Sequence, residues 1–132
     1  MRIVVAGDRF WNCPDLAAAT LRRLVARYGP DIVIVHGGAC GVDESFAAAC
    51  RGLGVNTDVC LVDFSHVGDR GFKNREMLRR GAELCLVVHR GPLDDGRRDL
   101  ARQAIMAGVP TYLIDSDVGK PRRLQAGDEQ PK

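Results

Sequence analysis

Short, continuously apolar runs alternate along this chain with longer stretches in which apolar residues recur every three or four positions. Five such runs predict strands, at residues 2–6, 32–35, 55–62, 83–89 and 109–115. Their continuous apolarity is typical of parallel strands that are buried on both faces. Helical spacing predicts four helices, at residues 14–28, 42–53, 73–80 and 97–107. This order predicts a single Rossmann-like, three-layer α/β/α domain with helices on both faces of an open, mostly parallel sheet of about five strands.

The predicted domain spans residues 1–115. Residues 116–132 are rich in Gly, Pro and charged side chains, which predicts a flexible C-terminal tail without regular structure. An internal repeat supports the parsing of the domain. The segment VIVHGG, an alanine-rich helix and Gly54-Val55 recur as LVVHRG, an alanine-containing helix and Gly108-Val109. Two strand–loop–helix units of similar length indicate repeated βα construction.

The loop after the second strand, HGGACG, is the strongest candidate for an anion site. It carries three glycines in five positions and leads directly into a helix. This order predicts free backbone N–H groups and the positive end of the helix dipole at the carboxyl edge of the sheet. Asp43 and Glu44 fall in the first helical turn, where they either complement the dipole or face a ligand. Neither a Walker loop nor the GxGxxG dinucleotide fingerprint is present.

Composition narrows the function classes. The chain has 132 residues, of which 45% are hydrophobic and 5% aromatic, so we expect one domain with an aliphatic core. A net charge of +2 gives no general argument for nucleic-acid binding. The five cysteines contain no CxxC pair, and the histidines and cysteines show no metal-ligand spacing. We therefore expect a cytoplasmic protein without a metal, a bound cofactor, a signal peptide or a membrane span.

Three motifs in order carry a resemblance to a known family. They are VVAGDRFWN after the first strand, VHGGACGVDESFA after the second and KNREML before the fourth. With these motifs the chain resembles the YspA-like branch of the SLOG superfamily, which is related to the LOG phosphoribohydrolases and to the DprA DNA-processing proteins. The resemblance covers residues 1 to about 115. It implies that the chain binds a nucleotide or a nucleotide-derived phosphate ligand at the carboxyl edge of the sheet, with N-glycosidic hydrolysis as a further possibility.

Two alternatives to this function stay open. One is DprA-like binding of single-stranded DNA, for which the basic residues would be Arg70, Lys73, Arg75, Arg79 and Arg80. Such binding should weaken steeply with salt. The other is a ligand sensor without catalysis.

The resemblance also implies a set of site residues. Gly7 and Arg9 match the GxR of the family's first loop, and the GGxxGxD of its second loop is matched by Gly37, Gly38, Gly41 and Asp43. Asn74 matches the asparagine of an Arg–Asn pair, with Lys73 in place of the arginine. The predicted ligand-binding residues are Gly7, Asp8, Arg9, Gly37, Gly38, Ala39, Gly41, Val42, Asp43, Lys73, Asn74, Gly91 and Gly96. The predicted catalytic residues are Asp43, Glu44 and Arg75.

The fourth loop departs from the family. LOG enzymes and many YspA-like chains have GGxGT there, with a catalytic glutamate in the LOG group, whereas this chain has RGPLDDGRRDL. Gly96 can match the second glycine, Arg97 replaces the threonine, and Asp99 lies one residue short of the glutamate. The resemblance therefore leaves open whether the chain is an enzyme. The positive charges of Arg97 and Arg98 at a helix start are also repelled by the positive end of the helix dipole, unless an anion lies beside them.

Several other residues suggest contacts with partners. Phe10 and Trp11, in the first loop, can stack on a base or cover the edge of the core. His36 and His89 end strands and can act as acid–base groups, although packing is the more common role. The two later helices carry more apolar side chain than one sheet face needs, at Met77, Leu78, Ile105 and Met106. Because related LOG proteins are also commonly dimers, we predict two partners, a nucleotide-like small molecule and a second copy of the chain.

Overall fold

The structure, a computed structural model, describes residues 1–61, 71–117 and 120–128. Within these ranges the chain forms six strands, β1 (Arg2–Gly7), β2 (Val33–His36), β3 (Asn56–Val59), β4 (Leu84–Val88), β5 (Thr111–Ile114) and β6 (Arg122–Leu124). The helices in the same ranges are α1 (Pro14–Tyr28), α2 (Val42–Leu53), α3 (Phe72–Arg79) and α4 (Asp95–Met106). The end of the predicted third strand, at Val62, lies outside the described residues, as do residues 63–70 that follow it.

The strands form one sheet in the order β3-β2-β1-β4-β5-β6. The first five are parallel, and β6 runs antiparallel to β5. The predicted α/β fold with a mostly parallel sheet is therefore confirmed. The chain first winds outward from β1 to β3 and then crosses to β4 on the other side of β1, so the strand order reverses between β1 and β4. In open sheets of this kind ligands bind at the carboxyl ends of the strands beside such a reversal.

The sixth strand lies in the segment 116–132, whose composition predicts no regular structure. In β6, Leu124 pairs with Thr111 of β5 and is buried beside Leu113. The expectation was wrong for Arg122–Leu124, because one buried leucine and an open sheet edge are enough to add a short strand. Average composition does not reveal such a local anchor.

Helices cover both faces of the sheet. Along β1, Ile3 and Val5 point toward α1 and α2, whereas Val4 and Ala6 point toward α3 and α4. Leu53, at the end of α2, is 41% exposed. None of the helices in the described ranges is long and apolar enough to cross a membrane.

The apolar residues behind the dimer prediction divide between core and surface. Met77 is buried in the sheet face that α3 and α4 cover, so it is not surplus apolar surface as predicted. Leu78 and Ile105 are partly buried against the same core. Met106, by contrast, is exposed at the end of α4. The dimer therefore stays a prediction, with less exposed apolar surface behind it than the sequence suggested.

Candidate functional site

A cavity of about 470 Å³ lies at the carboxyl edge of the sheet. Its walls come from the loop after β1, from the loop after β2 with the start of α2, from α3 and from the start of α4. The lining residues are Ala6, Arg9, Gly37, Ala39, Asp43, Lys73, Asn74, Met77, Asp94, Asp95, Gly96, Arg97 and Asp99. The volume falls within the roughly 300–1,000 Å³ typical of small-molecule sites.

The structure brings part of the predicted site together on this cavity. The predicted residues that line it are Arg9, Gly37, Ala39, Asp43, Lys73, Asn74 and Gly96. The predicted residues that do not line it are Gly7, Asp8, Gly38, Gly41, Val42, Glu44, Arg75 and Gly91. Glu44 and Arg75 have exposed side chains, so Asp43 is the predicted catalytic residue that the cavity contains.

Two of the predicted ligand glycines allow neighbouring elements to pack closely. A Cβ on Gly7 would collide with the Val88 carbonyl and with the Val42 side chain, and a Cβ on Gly41 would collide with the backbone of Asp8 and Arg9. The Val42 N–H donates to the Asp8 carbonyl over 3.1 Å. These contacts hold the first loop against the start of α2, and they position Arg9 at the cavity.

Asp43 fixes the glycine loop. It lies in the first turn of α2, is only 4% exposed, and its Oδ2 accepts the N–H groups of Gly37 and Ala39, both over 3.2 Å. The Gly38 N–H donates to His36 Nδ1 over 3.1 Å. The expectation of free N–H groups was therefore wrong for these three amides, because side chains already accept them. The start of α2 has no side-chain cap, but its Val42 N–H already donates to the Asp8 carbonyl, so only the later first-turn amides face no competing partner of this kind.

The second oxygen of Asp43 is chemically unusual. Oδ1 is buried and has no hydrogen-bond partner in the part of the chain that the structure describes. Burial raises the pKa of Asp43, against the lowering effects of the Ala39 N–H, His36 and Arg97. A buried carboxyl with one uncommitted oxygen and a raised pKa can hold a proton or accept a hydroxyl group.

His36 is a second buried titratable group next to this carboxyl. Burial lowers the pKa of His36, while the charge of Asp43 opposes that shift. Because Nδ1 accepts the Gly38 N–H, the neutral ring carries its proton on Nε2. Nε2 is buried and lacks a partner among the described residues. His36 does not line the cavity, so its clearest role is to hold the glycine loop.

Arg9 and Lys73 provide positive charge that is not committed to other side chains. Neither makes a hydrogen bond or an ion pair within residues 1–61, 71–117 and 120–128. A Cβ built on Gly37 would lie 2.8 Å from Lys73 Nζ, so the ammonium rests directly over that glycine. Lys73, the substitute for the expected arginine, therefore contacts the glycine loop.

The acidic residues at the start of α4 are matched by arginines of the same helix. Asp94 caps α4 by accepting the Arg97 N–H over 2.8 Å, and Arg97 Nε lies 3.4 Å from its carboxylate. Asp95 pairs with Arg98 in the same turn. The helix thus begins two residues earlier than predicted and supplies its own anions, so Arg97 and Arg98 need no external phosphate to offset the dipole.

Two contacts join α4 to the rest of the cavity wall. Arg97 donates to the Gly7 carbonyl over 2.5 Å, which links α4 to the end of β1. Asn74 Nδ2 donates to the Gly96 carbonyl over 3.0 Å and to Asp99 over 2.9 Å. Asp99 also accepts hydrogen bonds from Arg102 and Gln103. Because its carboxylate is committed to these partners, Asp99 is poorly placed to substitute for a catalytic glutamate.

The aromatic pair of the first loop divides between core and solvent. Trp11 is 4% exposed and packs in the core, with the Arg90 guanidinium 4.8 Å from its ring centroid. It is therefore not available to stack on a base, as one alternative proposed. Phe10 is 86% exposed. His89 is buried, does not line the cavity, and its Nδ1 lies 2.8 Å from the Arg90 carbonyl oxygen.

Metal ligands do not gather in the part of the chain that the structure describes. No three His, Cys, Asp or Glu side chains lie close enough there to hold an ion. His66 lies outside the described residues.

Comparison with known families shows which protein family the chain belongs to. The model of the YspA, cpYpsA-related SLOG family matches residues 1–66. The chain belongs to this family. The matched half of this SLOG protein contains the first loop, the glycine loop and Asp43, whereas Lys73, Asn74 and the start of α4 lie beyond it.

Two further comparisons concern individual proteins. The SLOG protein is 29% identical to the Gene 61 protein of Mycobacterium phage D29 over 116 residues, which are 83% of this chain and 92% of that protein. Its structure is similar to the X-ray structure of TM1055, a structural genomics target, with a TM-score of 0.62 at 20% identity. That alignment covers 83% of this chain and 71% of the other. At this identity the likeness supports the fold alone.

Proposed function

We propose that this SLOG protein binds a nucleoside phosphate or a related phosphate ester in the carboxyl-edge cavity. The observation that carries the proposal is the pair of cations, Arg9 and Lys73, that line one cavity without a partner among the described residues. Uncommitted guanidinium and ammonium groups beside an uncapped helix start suit a phosphate, which accepts charge-assisted hydrogen bonds from both. Family membership supports a nucleotide-related ligand.

The acidic lining of the cavity is compatible with an anion. Asp94 and Asp95 are each paired with an arginine three residues on, and Asp99 is paired in the same way with Arg102. The fourth carboxyl, that of Asp43, has a raised pKa and already accepts two loop amides. The charges of Arg9 and Lys73 therefore remain available to a ligand.

Hydrolysis of the N-glycosidic bond is the second candidate function. The carboxyl of Asp43 supports this function. Its pKa is raised, and its Oδ1 is buried and has no hydrogen-bond partner among the described residues. In that reaction water attacks C1′, the bond from C1′ to the base nitrogen breaks, and the base leaves with a proton. Asp43 would accept the proton of the attacking water and then release it through solvent to the leaving base, which restores the carboxylate.

Single-stranded DNA binding has less support. Arg79 is paired with Glu76, and Arg80 is paired with both Glu76 and Asp58, so two of the five basic residues proposed for it are engaged within the protein. Arg70 lies outside the described residues. The two ligand classes differ in salt dependence, because a DNA contact over several phosphates weakens steeply as salt rises.

An NMR titration tests the proposal. The ¹⁵N-labelled protein is titrated with the four common nucleoside 5′-monophosphates, with ribose 5-phosphate and, as a control, with the nucleosides that lack phosphate. We expect saturable shifts of the glycine-loop and first α2 amides with the phosphates and weaker shifts with the nucleosides. No shift with any phosphate at millimolar concentration would contradict binding. Chromatography of the mixtures for released base then tests hydrolysis separately, with Asp43→Asn expected to abolish it.

The homodimer is proposed on slighter grounds, chiefly the exposed Met106 at the end of α4. Light scattering should return twice the 14.4 kDa of one chain. A mass of one chain at high protein concentration would contradict it.

A further inference from the structure

A second cavity lies on the face of the sheet that α1 and α2 cover. It has a volume of about 300 Å³ and shares no lining residue with the carboxyl-edge cavity. Helix α1 connects β1 to β2 and α2 connects β2 to β3, so both helices lie toward the β3 side of the sheet, and β4 and β5 lie beyond α1. The floor consists of the apolar side chains Leu84, Leu86 and Ile114, with Leu24 of α1 on one side. The size is at the lower end of small-molecule sites.

A buried hydroxyl without a partner lines this cavity. Thr20, in α1, is only 4% exposed, and its Oγ1 has no hydrogen-bond partner among the described residues. A buried hydroxyl costs stability when it lacks a partner, so such groups are normally satisfied. The buried Thr111 illustrates this, because its Oγ1 donates to the Val109 carbonyl over 2.9 Å. The hydroxyl of Thr20 can therefore be satisfied by a ligand in the cavity.

The rim of the second cavity is basic. Arg23 and Arg27 line it, and none of the described residues that line it is acidic. Arg27 is partly engaged, since its Nε donates to the Tyr28 hydroxyl over 3.1 Å. Arg23 makes no hydrogen bond or ion pair in the part of the chain that the structure describes. Tyr28, Tyr112 and Pro121 also line the cavity, and the two tyrosine rings offer flat, amphipathic surface.

We propose that this cavity binds a small aromatic or aliphatic carboxylate. The apolar body of the ligand lies against Tyr28 and Tyr112, above the floor of the cavity. Its carboxylate pairs with Arg23, and the hydroxyl of Thr20 donates to a ligand oxygen. Charge complementarity selects this class of ligand, because a basic rim repels cations and attracts a carboxylate, while the apolar floor takes a hydrocarbon body. The site is independent of the nucleotide site proposed above.

The test uses 3-phenylpropanoate as the probe and 3-phenylpropan-1-ol as its uncharged counterpart. In a ¹⁵N NMR titration of the full chain we expect saturable shifts in α1, β4 and β5 with the acid, and at least fivefold weaker binding of the alcohol. Arg23→Gln should weaken binding of the acid at least fivefold. Arg22→Gln, which removes the same charge from an exposed neighbour outside the cavity, should leave it unchanged.

A pair of threonine variants separates ligand binding from stability. Thr20→Val should keep or raise the melting temperature, because it removes an unsatisfied hydroxyl, and should weaken binding of the acid at least threefold. Thr111→Val should lower the melting temperature, because it breaks a hydrogen bond, and should leave binding unchanged.

Three results would overturn the proposal. The first is the absence of shifts in α1, β4 and β5 at saturating probe concentrations, and the second is equal binding of the acid and the alcohol. The third is a dimer in solution that the substitution Tyr112→Arg converts to a monomer. That result would mean that a second copy of the chain covers this face.

Discussion

Replacing Asp43 separates its anchoring of the glycine loop from its charge. Asp43→Ala removes the acceptor of the Gly37 and Ala39 N–H groups, and a buried N–H left without a partner costs about 1–3 kcal/mol. Water in the adjoining cavity can satisfy part of this loss, and removing a desolvated charge offsets more of it. We therefore expect a net decrease of about 2–3 kcal/mol in the free energy of unfolding. In Asp43→Asn the amide oxygen can still accept both N–H groups, so the decrease should stay below about 1 kcal/mol.

The charge of Asp43 should appear as a pH dependence. Its pKa in the folded protein is raised above the ordinary value of 3.8, so the folded state binds the proton more tightly than the unfolded state does. The resulting stabilisation is fully present below pH 3.8 and is lost as the pH rises through the folded-state pKa. The stability of the natural protein relative to Asp43→Asn should therefore fall as the pH rises across that window.

Urea unfolding followed by the fluorescence of the single tryptophan provides the assay. Trp11 is buried in the core, so its emission should report global unfolding. Equal loss of stability in the alanine and asparagine variants would refute the role of the Oδ2 hydrogen bonds. A stability difference between the natural protein and Asp43→Asn that stays flat or grows with pH would refute the raised pKa.

Three further predictions concern the surroundings of the site and the core. Both Gly41 and Gly54 have a positive φ, at 71° and 69°, but only Gly41 lies against the backbone of the first loop. In urea unfolding, Gly54→Ala should therefore cost about 1–2 kcal/mol of stability, and Gly41→Ala should cost several times more. Cys40 is the exposed member of the five cysteines, and burial raises the pKa of Cys85 to about 12, so a thiol reagent should label one cysteine quickly in the folded protein and five after denaturation. Neighbouring arginines lower the pKa of Glu76 to about 2, so the natural protein should lose stability relative to Glu76→Gln as the pH falls from 4.5 toward that value in parallel urea titrations.

The elements with strong apolar patterns could be predicted from the sequence. Four consecutive β-branched residues at 32–35 indicate a buried parallel strand, and β2 lies within one residue of that prediction. The short strand β6 could not be predicted, because its single buried residue, Leu124, leaves no periodic signal. The early start of α4 had a signal, since Asp94 is a favoured capping residue directly before the helix.

The candidate site could be predicted only in part. Arg9 and Lys73 follow from the motif positions, and both line the cavity. The hydrogen bonds of Asp43 to Gly37 and Ala39 depend on how the side chain turns back over the loop, and no local pattern encodes that direction. The link from Arg97 to the Gly7 carbonyl likewise joins residues that only the folded sheet brings together.

Calorimetric titration of the protein with a nucleoside 5′-monophosphate tests the proposed phosphate site most directly. The comparison needs the natural protein, Arg9→Ala and the control Arg22→Ala, since both arginines are exposed and neither has a partner among the described residues. Both variants should change stability by no more than about 0.5 kcal/mol. Arg9→Ala should weaken binding by roughly 1.5–3 kcal/mol, on the order of ten- to a hundredfold, whereas Arg22→Ala should not. Equal affinity of the natural protein and a folded Arg9→Ala variant would contradict the assignment of Arg9 to the phosphate.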